Sequence, residues 1–164
     1  MNIFEEALTG LGVEVTFDEN NMFSCELNND ENEEDKPLLL SFYRDDEAMS
    51  LRVSVVTRQS IPENASFDFF IEFGEKALEP LRGDIGAGIC PGTKTITLYK
   101  VVPLAGKPQG HMMEVIESLI EAAEEWDLKV LNAEKGNASE DASSEGKFNS
   151  VSYTHLTLPT RTRV

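Results

Sequence analysis

Hydrophobic positions along this chain follow two rhythms, which change over at turn-forming residues. Ile3, Phe4, Ala7, Leu8 and Leu11 recur every three or four positions, which predicts a short helix over Asn2–Leu11 stopped by Gly10 and Gly12. Val13–Phe17 reads as an extended piece, Asp18–Asn21 (DENN) as a turn and Met22–Leu27 as a strand. Asn28–Lys36 (NNDENEEDK) has nothing to bury and reads as a solvated loop. Pro37–Arg44 and Ala48–Thr57 make the clearest hairpin. Met49, Leu51, Val53 and Val55 alternate with Ser50, Arg52 and Ser54, and Asp45-Asp46-Glu47 supplies the turn.

After the Pro62 loop the helical rhythm returns. Ser66 is a candidate N-cap, Asp68 sits where a helix dipole favours an acid, and Phe67, Phe70, Phe73 and Ala77 follow before Pro80 and Gly83 stop the helix. Ile85–Cys90 and Thr95–Val102 form a second hairpin around Pro91–Lys94. In its first strand Gly86 and Gly88 alternate with Ile85, Ala87 and Ile89, which leaves one face bare for a closely packed neighbour or for a twist or bulge. From about Gln109 to Leu128 runs the longest helix. Met112, Val115, Ile116, Leu119, Ile120, Ala123 and Trp126 form its apolar stripe, opposite Glu114, Glu117, Glu121, Glu124 and Glu125. Helix, three strands, helix, two strands, helix is an α+β pattern, with helices packed against one antiparallel sheet.

Charge narrows the range of partners. The 164 residues hold 14 Lys+Arg against 30 Asp+Glu, a net charge of -16. Such a surface repels phosphate backbones and anionic headgroups, so neither nucleic acid nor membrane insertion is expected. The opening MNIFEEALTGLGVEV lacks a basic segment and a long apolar run, so no leader peptide is expected either. A cytoplasmic location follows from this reading. Cys25 and Cys90 then read as small buried hydrophobes in a reducing compartment. The Asn64-Ala65-Ser66 and Asn137-Ala138-Ser139 triplets fit a glycosylation pattern that has no meaning there.

The chain offers little catalytic chemistry. Before residue 150 there is one histidine, His111, at the start of the last helix, where a capping or solvent-facing role is ordinary. No GxSxG, phosphate loop or dinucleotide fingerprint is present; Gly83–Gly88 (GDIGAG) leads into a strand where the fingerprint must open a helix. Two scattered cysteines and one histidine cannot close a zinc site. The acidic loop lacks the glycine and ligand spacing of a calcium loop. Paired carboxylates cannot be excluded by counting, but the acids lie in loop runs and along one helix face, as a solvated surface would have them. No cofactor, metal or enzymatic activity is expected.

The last fourteen residues, VSYTHLTLPTRTRV, break with what precedes them: four threonines, two arginines and no acid. VSYTHLTLPT resembles the translated read-through of a sequencing adapter, so 151–164 is set aside as non-native. Without Arg161 and Arg163 the charge would be two units more negative. Residues 132–150 are expected to be a low-complexity acidic tail, which leaves 1–131 as the folded domain.

Over Asn2–Leu131 the order of elements resembles the class I type III secretion chaperones, the Tir-chaperone (CesT-like) family. The segments carrying the resemblance are GLGVEVTFDENNMFSCEL after the first helix, the aromatic-rich second helix leading to GDIGAGIC, TITLYKVVPL, and a last helix containing EAAEEW. The Asn-Leu usual near the end of the family's second helix is absent, with Ala77-Leu78 in its place, and NNDENEEDK looks like an insertion. The resemblance implies an α-β-β-β-α-β-β-α fold and a cytoplasmic homodimer that holds an extended segment of a secreted effector polypeptide in an export-competent state. It implies a dimer interface at Phe69, Phe70, Phe73, Ala77, Ile85, Ala87 and Ile89, and effector binding at Phe4, Leu8, Leu51 and Val53. Each of these residues also reads as ordinary core. The superfamily includes YbjN-like proteins, so an adaptor or regulator without secretion cargo is the alternative.

Overall fold

The computed structural model describes residues 2–28 and 36–134. The acidic stretch 29–35, the tail from 135 and the adapter-like segment lie outside the described residues. The elements are α1 (Ile3–Ala7), β1 (Met22–Leu27), β2 (Leu38–Asp45), β3 (Ser50–Val56), α2 (Phe67–Lys76), β4 (Gly86–Ile89), β5 (Ile96–Pro103) and α3 (His111–Leu131), with a 3-10 turn at Glu79–Arg82 after α2. This is the expected α+β order.

The strands form one antiparallel sheet in the order β1-β2-β3-β5-β4. Directly opposed residues share a face, so the register sorts the sequence into two surfaces. One row crosses all five strands as Cys25, Leu40, Val55, Leu98 and Ala87, all buried. The next row, on the other face, is Ser24, Ser41, Ser54, Tyr99 and Gly86. The inner face is covered by α3, which lies across β3 and β5 through Val115, Ile116, Leu119 and Ile120. Each fully buried Leu or Ile there contributes about 2 kcal/mol of transfer free energy.

The first helix is shorter than its hydrophobic rhythm. Asn2 caps it with a two-way box, accepting the Glu5 N–H while the Glu5 carboxylate accepts the Asn2 N–H. The chain then turns at Gly10 and Gly12, both with positive φ, and this tucks Leu8 and Leu11 into the core outside the helix. Val13, Val15 and Phe17 pack partly against that core without joining the sheet. Ser66 caps α2 through the Phe69 N–H at 3.2 Å, as its position predicts. At the C-terminal end Ala133 is buried, its carbonyl accepts the Ser66 N–H, and Glu134 bridges to Ala65. Among the described residues, contacts with the body of the fold therefore extend to Glu134.

Candidate polypeptide-binding surfaces

Helix α2 carries more apolar residues than one face can bury. Phe69 and Phe73 point inward and meet the ring of Trp126 edge-on, at 5.7 and 5.4 Å between centroids. Phe67, Phe70 and Ile71 lie on the opposite arc, and Leu78 and Leu81 extend that arc through the 3-10 turn. Phe67 is 77% exposed and Leu81 84%. Several large apolar side chains open to water along one element make it a candidate contact surface. Along one flank runs an acidic ridge of Asp68, Glu72, Glu75 and Glu79, in which Glu72 pairs with Lys129 and Glu79 with Arg82. Beside α2 lies β4, an edge strand whose Ile89 is exposed.

The opposite edge is β1, which pairs only with β2 among the described residues. Its outer backbone positions are of the kind an added strand can use. A groove of about 460 Å³ opens between α1 and the β5–α3 connection. Ile3, Ala7, Val102, Leu104 and Met112 make its apolar lining, and Glu6, Lys107 and His111 its polar lining.

The residues singled out from sequence divide between these surfaces and the core. Phe70, Ala77 and Ile89 are exposed and Ile85 is half-buried, whereas Phe69, Phe73 and Ala87 are buried within the chain. Phe4, Leu8, Leu51 and Val53 are all buried. Burial of these four matches the ordinary-core reading that stood beside effector binding. Leu51 and Val53 face inward on β3, and both edges of β3 are already paired. The alternation along β3 identifies a half-buried strand, but it does not reveal which face α3 covers. Sequence reasoning also passed over Ile71, Leu78 and Leu81. The signal for Ile71 was present as a second apolar arc on α2, offset from the one that meets Trp126, whereas Leu78 and Leu81 lie beyond that helix at the 3-10 turn.

Buried polar groups serve the fold. Asp127 accepts the backbone N–H of Arg58 and of Gln59, at 3.0 and 2.9 Å. The Arg58 guanidinium lies between Glu124 and Asp127 and donates to the Lys36 carbonyl at 2.6 Å. Burial pushes the Cys25 thiol up to about 11, far from a nucleophile's range. Among the described residues no group of three or more His, Cys, Asp or Glu could hold a metal ion. No helix among them is long and apolar enough to cross a membrane.

The chain matches no protein-family profile and no curated protein sequence. Solved structures do share its fold. A chain of the ExsC–ExsE complex superposes with a TM-score of 0.56 at 18% identity, over 71% of this chain and 81% of that one. A chain of the HopA1–SchA chaperone–effector complex superposes with a TM-score of 0.56 at 15% identity, over 76% of this chain and 92% of that one. The architecture is common to all three.

Proposed function

We propose that this protein is a type III secretion chaperone, a cytoplasmic homodimer that binds an extended segment of a secreted effector and keeps it export-competent. The observation that carries the reading is the fold held in common with a chain of a chaperone–effector complex, over nearly all of that chain. The open strip on α2 and the 3-10 turn supports pairing, because a second copy brings an equally apolar strip to cover it. Cargo is held elsewhere, along the β1 edge of the sheet and in the groove beside α1. Strand addition at an edge supplies sequence-tolerant backbone hydrogen bonds, while apolar pockets select side chains. Holding of this kind needs no catalytic group.

Co-expression with the product of the neighbouring gene tests the reading. Light scattering should show a dimer of this chain bound to that product, and limited proteolysis should show a protected segment near the product's N-terminus. Ile71→Glu should abolish pairing while the chain stays folded. A monomer that leaves the neighbouring product unprotected ends the proposal.

A further inference from the structure

The outer row of the sheet ends in a contact that reaches the α2 strip. A Cβ built on Gly86 would lie 2.4 Å from Tyr99 Cζ and 2.6 Å from both Tyr99 Oη and Pro80 Cγ. Tyr99 and Pro80 therefore rest against a bare α-carbon. Gly86 is outside the positive-φ region, so space, not backbone conformation, demands glycine here. The two neighbours would respond differently to a side chain. Tyr99 is an exposed residue on the outer face, and its phenol can swing into solvent. The Pro80 ring is closed onto its own backbone and can retreat only by carrying the main chain with it.

Pro80 sits between Leu78 and Leu81. The surrounding turn is tied by Leu81 N–H to the Leu78 carbonyl at 3.0 Å, Gly83 N–H to Pro80 at 3.0 Å and Asp84 N–H to Glu79 at 3.2 Å. These three bonds couple the residues of the turn to one another. We propose that Gly86 is a positioning residue for subunit pairing: by letting Pro80 seat against β4, it sets where Leu78 and Leu81 stand beside Phe67, Phe70 and Ile71. This rests on the pairing reading above. A methyl group at residue 86 displaces the turn and lifts Leu78 and Leu81 out of line with the rest of the strip. The core beneath α2 is held by a separate set of contacts, Phe69 and Phe73 against Trp126.

Sedimentation equilibrium on the full chain tests this with wild type, Gly86→Ala, Pro80→Ala and the double variant, alongside thermal melts. Gly86→Ala should weaken pairing about tenfold or more, the scale of losing well-packed interface contacts. The double variant should pair within about threefold of Pro80→Ala, because Pro80 Cγ is gone and Tyr99 can swing aside. A wild type that stays monomeric overturns the pairing reading and this inference together. A paired wild type with equally paired Gly86→Ala overturns this inference alone. The double variant keeps the test decisive if Gly86→Ala melts too low to measure. A folded double variant that pairs far more weakly than Pro80→Ala shows that the loss arises in β4 and not through the turn.

Discussion

The backbone N–H of Arg58 donates to a carboxylate oxygen of Asp127 at 3.0 Å, across 69 residues of sequence. Asp127 also accepts from Gln59, and the Arg58 guanidinium reaches both Asp127 and Glu124 with only 8% of its side chain exposed. One helix residue thus ties the segment that follows β3 to α3. Asp127→Ala should cost about 2–4 kcal/mol in urea unfolding, because it strands two backbone donors and removes one of the carboxylates facing a buried guanidinium. A loss below about 0.5 kcal/mol would show that water or Glu124 replaces it fully.

The same residue predicts a pH dependence. Burial pushes the Asp127 carboxyl above its ordinary value, and the nearby Glu124 charge adds to this. Hydrogen bonds from Gln59 and Arg58, and the Arg58 charge, oppose it without cancelling it. A carboxyl raised in the folded state binds its proton more tightly folded than unfolded, so its contribution is present at low pH and lost as pH rises through the folded value. The stability margin of wild type over Asp127→Asn should therefore shrink as pH rises from the ordinary carboxylate range through that raised value. Urea midpoints for both proteins across that range measure it, and a margin that widens with pH contradicts the assignment.

The two arcs of α2 should separate cleanly by mutation. Phe69→Ala removes a ring packed against Trp126 and should cost about 3–5 kcal/mol. Phe67→Ala, two residues away and largely in water, should change monomer stability by less than about 0.5 kcal/mol. Denaturation at protein concentrations below pairing gives both values. Comparable losses would place Phe67 in the core.

The thiols should differ in reactivity. Cys25 is fully buried with its thiol held up at about 11, while Cys90 is half-buried at the end of β4. A disulfide reagent at pH 8 should titrate Cys90 in the folded protein and reach Cys25 only in denaturant. Rapid reaction of both thiols in the native state would show that β1 opens.

Much of the architecture was legible because its causes are local. The alternation of β3, the Ser66 cap and the stripe of α3 each express contacts within a few residues, and each appears where the pattern predicts it. Element ends shifted where glycine intervened. Gly10 and Gly12 cut α1 short of Leu11, and Gly110, with φ of +89°, delays the start of α3 to His111. The candidate site was less legible. Leu51 and Phe70 look alike in sequence, as apolar residues on one side of an amphipathic element, yet Leu51 lies under α3 and Phe70 faces solvent.

The sequence by itself determined the periodicity, hence the elements, their order and the α+β class, and it determined the acidity that disfavours nucleic acid. Only the tertiary structure decided the sheet order β1-β2-β3-β5-β4 and the partition of α2 into an arc packed on Trp126 and an arc left open. The reason is that burial is a property of neighbours distant in the chain. Hydrophobic rhythm says that a face must be covered; which face is covered, and by what, depends on where α3 comes to rest.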